Sequence, residues 1–217
     1  MIGVYNYTVW LTYLSMVSAC FGIGLAVIGD EPYKAMICLL LCGLFDAFDG
    51  RVARMKKDRT DLEKGFGIQI DSLTDIVAFG VQPAAIGISI MHESSYYEGE
   101  PTVRIIAYCV YIMFVLAGLI RLAYFNVVEE ERQKQEGGGV AHFYTGLPIT
   151  SSCLIFPTIL FIRYFTGGDL SRTYLIVTAI TGYLFVSKLQ VKKPGLKGIL
   201  IMISIGLCEL IALFLIK

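Results

Sequence analysis

Residues 46–75 read DAFDGRVARMKKDRTDLEKGFGIQIDSLTD, and this stretch decides the fold. Asp46 and Asp49 lie three residues apart, Asp71 and Asp75 lie four apart, and apolar runs flank both pairs. At these spacings the members of each pair share one face of a helix. An ionised carboxylate among apolar residues is costly unless a cation compensates it. The pairs therefore predict two facing helices whose carboxylates hold one or two hard divalent cations.

The composition places the chain in a membrane. Of the 217 residues, 56% are hydrophobic and only 17% are charged. Residues 5–29 contain no charged residue, and a transmembrane helix needs about 20 apolar residues. We predict an all-α polytopic membrane protein with about seven transmembrane helices, in a range of about six to eight. The predicted spans are residues 6–29, 34–56, 67–92, 102–127, 146–166, 171–187 and 197–216.

Basic residues are distributed unequally between the two ends of these spans. Most lie in the connections after the second, fourth and sixth spans, and the positive-inside rule assigns those connections to the cytoplasm. The N-terminus and the aspartates then face the cytoplasm. Residues 1–217 are predicted to form one transmembrane catalytic domain, and the polar residues 129–139 a mobile cytoplasmic linker. This organisation is typical of an enzyme of a prokaryotic inner membrane.

The aspartate-rich stretch favours chemistry on phosphate groups. Two divalent ions about 3.5–4 Å apart suit phosphoryl or phosphatidyl transfer, because they stabilise both the attacking and the leaving oxygens. The nearby Arg54, Lys56 and Lys57 would complement phosphate charge. A cation transporter is the alternative from another class, because transporters also carry intramembrane aspartates. A transporter would spread its carboxylates across the bilayer, whereas these four cluster toward one side beside a basic segment.

Eight residues of the stretch form a pattern that reads Asp46-x2-Asp49-Gly50-x2-Ala53-Arg54 and then Gly67-x3-Asp71-x3-Asp75. The pattern resembles the signature of the CDP-alcohol phosphotransferases, which implies their transmembrane helical fold. Those integral membrane enzymes move a phosphatidyl-type group from a CDP-linked lipid to a small alcohol and release CMP. The connection between Arg54 and Gly67 has 12 residues, which is longer than is usual in that family.

Other segments resemble the phosphatidylserine synthase branch of the family. They are DSLTD with the following FGxxP (residues 71–83), RLAYFN (121–126) and FxxGLP (143–148). In the LTxxN pattern of the first helix, Thr12 matches and Ser15 replaces the asparagine. The resemblance implies transfer from CDP-diacylglycerol to L-serine with release of CMP. Inositol phosphate or glycerol phosphate as acceptor, and an ether-linked donor lipid, are the alternatives.

The resemblance also implies a role for each matched residue. Asp46, Asp49, Asp71 and Asp75 would hold two ions of Mg²⁺ or Mn²⁺, and Asp75 would also be the general base. The residues implied at the CDP moiety are Gly50, Ala53, Arg54, Gly67, Thr12 and Ser15. Arg121 and Asn126 would bind the acceptor, although Arg121 could instead extend to lipid phosphates. The resemblance further implies a homodimer surrounded by membrane lipids, without a nucleic-acid partner.

Overall fold

The computed structural model describes residues 2–97, 99–136, 143–167, 169–192 and 195–215. Within them the chain is almost entirely helical. The helices are α1 (Trp10–Val27), α2 (Pro32–Met55), α3 (Asp61–Asp75), α4 (Gln82–His92), α5 (Pro101–Glu136), α6 (Ser152–Thr166), α7 (Leu170–Val186) and α8 (Leu196–Leu215). The π-helical residues Ile76–Val81 join α3 to α4, so that these two form one continuous helix. The described residues thus contain seven successive helices, and the predicted all-α fold is confirmed.

Length, composition and exposure identify the chain as an integral membrane protein. Within the described residues, three helices are long and apolar enough to cross a bilayer, namely Tyr7–Val27, Asp61–His92 and Pro101–Arg132. On α1 the exposed side chains Trp10, Leu14, Val17 and Phe21 recur every three or four residues. A stripe of large apolar side chains facing outward is stable only against lipid or another protein.

Helix α4 occupies the centre of the bundle. The Tyr111 hydroxyl of α5 donates to the Gly87 carbonyl at 3.1 Å, and the Tyr174 hydroxyl of α7 donates to the Pro83 carbonyl at 2.8 Å. A Cβ at Gly87 would lie 2.5 Å from the Tyr111 ring and 2.8 Å from the Tyr174 ring. The missing side chain of Gly87 therefore lets two buried tyrosines close on α4 and anchor it.

A buried amide joins α4 to the first two helices. The Gln82 side chain is fully buried, and its Nε2 donates to the Ala35 carbonyl of α2 at 2.9 Å. A Cβ at Gly22 of α1 would lie 2.2 Å from the same Nε2. Since a polar group inside a membrane protein is stable only when it is hydrogen-bonded, this contact fixes α4 against α2.

Helix α3 begins with a capping box. Thr60 Oγ1 accepts from the Glu63 amide at 3.2 Å, and Glu63 Oε2 accepts from the Thr60 amide at 3.0 Å. Because two otherwise unpaired amides are satisfied in this way, the helix begins at Asp61, which is earlier than the predicted residue 67.

Most of the predicted mobile linker is helical in the structure. Residues 129–136 are the last turns of α5, and ion pairs such as Lys134 Nζ to Glu130 Oε1 at 2.8 Å stabilise them. The pattern of charges that predicted a mobile segment thus belongs to a solvated helix end. Residues 137–139 lie outside the described residues.

A small sheet ties together two connections at the end of the bundle where α3 begins. Strands β1 (Phe143–Thr145) and β2 (Gln190–Lys192) pair antiparallel, with Tyr144 opposite Val191. Gly146 follows β1 with a φ of 78°, and a Cβ there would lie 2.4 Å from the Phe185 carbonyl oxygen. Only glycine fits this turn without strain.

Candidate active site

Helix α2 supplies the first two carboxylates. Asp46 and Asp49 lie near its end, on a face that also carries Gly50 and Ala53. Thr12 of α1 donates from Oγ1 to Asp49 Oδ2 at 3.3 Å, so α1 orients this carboxylate. The small residues on the same face leave open space beside the carboxylates.

Helix α3 supplies the other two carboxylates. A carboxylate oxygen of Asp71 lies within 4.8 Å of one of Asp49 across the interface between α2 and α3. Asp75 is the last residue of α3, and the π-helical segment follows it directly. π-helical turns inside α-helices are frequent at functional sites because they change the direction in which nearby side chains point.

Three of the four aspartates form one cluster, and the fourth lies near it. One carboxylate oxygen each of Asp46, Asp49 and Asp71 lies within 4.8 Å of the others. Asp75 is close enough to these three to interact with each of them electrostatically. The donor set consists of hard carboxylate oxygens only, and such a set fits Mg²⁺ or Mn²⁺. The residues present therefore fit the divalent ions that the sequence implies.

A polar cavity of about 450 Å³ opens beside the cluster. Its walls come from the start of α1, the end of α2, the connection after α2, and α3. The lining residues are Thr8, Val9, Thr12, Asp49, Gly50, Ala53, Arg54, Arg59, Lys64, Gly67, Ile68 and Asp71. Five of the six residues predicted at the CDP moiety are therefore found around one cavity.

A second cavity, of about 380 Å³, lies on the other side of α2. Side chains of α2, α6 and α8 line it, and most of them are apolar, including Leu44, Leu154 and Met202. Asp46 lines this cavity, and both Gly50 and Arg54 line both cavities. The carboxylate cluster thus lies where a polar cavity and an apolar cavity meet.

The sixth residue predicted at the CDP moiety lies elsewhere. Ser15 is buried between α1 and α2, and its carbonyl accepts from the Cys42 thiol at 3.3 Å. Ser15 is not one of the described residues that line the two cavities. One helical turn separates Ser15 from Thr12, which is enough to move it from the cavity wall into the helix interface.

The two residues predicted at the acceptor lie on α5. Arg121 is only 9% exposed, its guanidinium lies 5.5 Å from the Phe125 ring centroid, and its charge acts on Asp75. Asn126 Nδ2 donates to Ser72 Oγ at 2.8 Å, next to Asp71. Arg121 thus lies within electrostatic range of Asp75, and Asn126 contacts α3 at Ser72.

Some residues of the site carry no distinct sequence signal. Arg59 and Lys64 look like ordinary basic residues of a connection, yet both line the polar cavity. Glu209 of α8 is 7% exposed and accepts a hydrogen bond from Thr158 of α6. It joins α8, one wall of the apolar cavity, to α6. No pattern distinguishes Arg59 and Lys64 from surface residues, whereas Glu209 has a signal that could have found it, because it is the only charged residue of the apolar run 198–216.

Comparison with known proteins agrees with this geometry. The model of the CDP-alcohol phosphatidyltransferase family matches residues 5–208. The chain therefore belongs to this family of membrane transferases.

Curated relatives narrow the comparison. The chain is 38% identical to the CDP-diacylglycerol–serine O-phosphatidyltransferase of Saccharomyces cerevisiae over 119 residues, which is 55% of this chain and 38% of the relative. It is 36% identical to the archaetidylserine synthase of Methanothermobacter thermautotrophicus over 169 residues, 76% of this chain and 62% of the relative. It is 30% identical to the serine O-phosphatidyltransferase of Helicobacter pylori, with the same two coverages of 76% and 62%. The chain thus spans between 38% and 62% of the length of these relatives.

Proposed function

We propose that the protein transfers a phosphatidyl group from CDP-diacylglycerol to the hydroxyl of L-serine and releases CMP. The observation that carries the proposal is the carboxylate cluster at the junction of a polar and an apolar cavity. A CDP-linked lipid has the same division, with a charged nucleotide at one end and acyl chains at the other. The names of the relatives support serine as the acceptor.

In this proposal the polar cavity binds the nucleotide of the donor, and the apolar cavity binds its acyl chains. Thr12, Gly50, Ala53, Arg54 and Gly67 surround the CDP moiety, and the missing side chain of Gly50 allows the nucleotide to approach the backbone closely. The apolar side chains of α2, α6 and α8 contact the acyl chains. Arg54 borders both cavities, so its guanidinium is positioned for the pyrophosphate between them.

The four aspartates hold divalent metal in the proposal. When bound, two ions of Mg²⁺ or Mn²⁺ would neutralise the phosphate charge beside Asp46, Asp49, Asp71 and Asp75. Without such compensation, carboxylates this close together repel one another in a medium of low dielectric constant.

Asp75 acts as the general base. It takes the proton from the serine hydroxyl while the serine oxygen forms a bond to the β-phosphorus. The bond from that phosphorus to the bridging oxygen breaks, and CMP leaves with the electron pair. A hydroxyl is a weak nucleophile at neutral pH, so a carboxylate within hydrogen-bonding reach is needed for this step.

The acceptor lies between α3 and α5. A buried guanidinium such as that of Arg121 suits a two-point grip on the serine carboxylate. The Asn126 amide holds Ser72 and thereby supports the helix that carries Asp71 and Asp75. Since the Asn126 contact is to the protein, its contribution to acceptor binding is one of positioning.

The arrangement in the cell follows the distribution of basic residues. We propose that the cavities open to the cytoplasmic side of a prokaryotic inner membrane, because the connections at that end carry most of the Lys and Arg residues. We also propose a homodimer, which the family resemblance implies. Cross-linking in native membranes, followed by mass analysis of the detergent-purified protein, tests the dimer.

CMP release by the detergent-purified protein tests the main proposal. With CDP-diacylglycerol, L-serine and Mg²⁺ or Mn²⁺, we expect release of CMP with formation of phosphatidylserine, and a chelator should abolish both. Inositol phosphate and glycerol phosphate serve as alternative acceptors in the same assay. If CMP is released with one of these acceptors and not with serine, the proposed acceptor is wrong. Absence of release with every acceptor and metal would contradict the enzyme and favour a cation transporter.

The name of one relative indicates an alternative donor lipid. Because an archaetidylserine synthase is 36% identical to the chain over 169 residues, an archaetidyl donor is the alternative lipid. Comparing kcat/KM for the CDP-linked forms of the two lipids decides between them.

A further inference from the structure

Arg59 lies in the connection between α2 and α3 but turns back into the polar cavity. Its Nη2 donates to the Glu63 carbonyl at 3.2 Å, so the side chain runs along the first turn of α3. The same nitrogen lies 2.7 Å from where a Cβ would stand at Gly67. The guanidinium therefore rests on the backbone of α3 one helical turn before Asp71.

A set of hydrogen bonds fixes the segment that carries Arg59. Glu63 Oε1 accepts from Lys56 Nζ at 2.6 Å and from Asn6 Nδ2 at 2.7 Å. The hydrogen bond to Glu63 also raises the pKa of Lys56, which keeps this contact charged on both sides. Together with the capping box at Thr60, these contacts hold both ends of the connection. Arg59 is thus carried by an ordered segment.

The guanidinium has donors that the protein does not use. Nε of Arg59 is buried, and among the described residues it has no hydrogen-bond partner. No carboxylate of the described chain forms an ion pair with Arg59. Leaving a buried charged donor unsatisfied costs free energy. Arg59 also lines the polar cavity, so an anion that enters the cavity can pair with its guanidinium.

We propose that Arg59 binds the nucleotide phosphate that leaves with CMP. This inference rests on the proposed function, and it adds a second guanidinium to the Arg54 of the signature pattern. A planar guanidinium matches two phosphate oxygens better than it matches the neutral hydroxyls of ribose. The Asp49 and Asp71 carboxylates on the same cavity wall need a cation beside them when a further anion enters. Arg59 supplies that charge from the connection.

Nucleotide binding to the detergent-purified full chain tests the proposal. The probes are CDP, CMP and cytidine, measured by equilibrium dialysis in one Mn²⁺-containing buffer. Arg59→Gln should weaken CDP and CMP binding by about tenfold or more, because a hydrogen bond between charged groups is lost. Cytidine, which has no phosphate, should bind the variant and the wild type equally. Arg59→Lys should recover part of the affinity, since it keeps the charge and loses the planar geometry.

Lys188→Gln is the control. Lys188 is an exposed basic residue of the connection between α7 and α8 and lines neither cavity, so its loss should leave all three affinities unchanged. Steady-state rates give a second readout, in which Arg59→Gln raises the KM for CDP-diacylglycerol and leaves the KM for serine unchanged.

The outcomes separate the two proposals. If the wild type binds CDP and Arg59→Gln binds it equally well, the role of Arg59 is overturned and the proposed function stands. An equal loss of cytidine and CDP affinity would also overturn it, because the residue would then shape the cavity only. If the wild type binds none of the three probes, the proposed function fails and the role of Arg59 fails with it.

Discussion

The two halves of the helix Asp61–His92 are continuous in the chain, but they differ in burial and in polarity. In α3 the only buried residue is Thr74, and the helix borders the polar cavity along Gly67, Ile68 and Asp71. In α4, nine of 11 residues are buried among neighbouring helices. The π-helical segment separates the two, directly after Asp75.

The difference shows how a membrane protein can carry charged side chains within the thickness of the bilayer. The packed half is fixed by Tyr111, Tyr174 and Gln82, which hydrogen-bond across four helices. It holds the polar half in position, so the placement of the carboxylates depends on the packing of α4. We therefore expect substitutions in the polar half to change activity with little change in stability, and substitutions in the packed half to do the opposite.

The largest effect is expected at the end of the polar half. Asp75→Asn should lower kcat by about 10²–10⁴-fold, because it removes the general base. CDP binding should persist, and the unfolding temperature should not fall, since one of four mutually repelling carboxylates is neutralised. CMP release, CDP binding and thermal unfolding in detergent measure the three quantities. Asp58→Asn, an exposed position in the connection, is the control. Near-wild-type turnover in Asp75→Asn would remove this residue from the mechanism.

The second effect is expected on α5, where the charge of Arg121 acts on Asp75. Arg121→Ala should raise the KM for serine by about tenfold or more, and should change the KM for CDP-diacylglycerol much less, because only serine loses a charged partner. Initial rates at varied concentrations of each substrate measure the two constants. Arg121→Lys should restore part of the serine affinity. Equal changes in both KM values would contradict a contact with the serine carboxylate.

The third prediction concerns the packed half of the helix, where a methyl group is added at Gly87. Gly87→Ala should destabilise the protein by about 1–3 kcal/mol, because the new Cβ overlaps the rings of Tyr111 and Tyr174. Thermal unfolding in detergent should show the loss, while kcat of the folded protein is retained. Gly24→Ala is the matched control, since a Cβ there meets nothing within 4 Å. An equal response of the two variants would mean that α4 is not the tightly packed half.

The smallest effect is expected from a single hydroxyl. Tyr174→Phe removes the hydrogen bond to the Pro83 carbonyl and should cost about 1 kcal/mol of stability. Tyr183→Phe on the same helix alters a hydroxyl on a side chain that is 72% exposed, and should stay within about 0.5 kcal/mol of the wild type. Differential scanning of the two variants makes the comparison. A loss of activity in Tyr174→Phe without loss of stability would break the division between the two halves.

Much of the architecture could be predicted because spans and stacked charges are local patterns. The charge-free run at residues 5–29 and the spacings within Asp46–Asp49 and Asp71–Asp75 depend only on neighbouring positions. The same locality explains the errors. The charges of residues 129–136 are equally compatible with a mobile linker and with a solvated helix end, and only the structure, in which α5 continues to Glu136, decides between them.

Other features depend on contacts between distant segments. The pairing of β1 with β2 joins residues that are almost 50 positions apart. The burial of Ser15 away from the cavity depends on where along α1 the contact with α2 begins, and the sequence of α1 alone cannot fix that position.

The sequence by itself determined that four carboxylates lie on two faces of membrane helices, because helical periodicity and the cost of charge in an apolar medium act on local residues. It also determined the family, through the eight signature positions. Only the tertiary structure decided that Gly50 and Arg54 stand between two cavities and that Arg59 folds back over Gly67. Cavities and returning side chains arise from the packing of whole helices, and their positions are set by contacts that no single stretch of sequence contains.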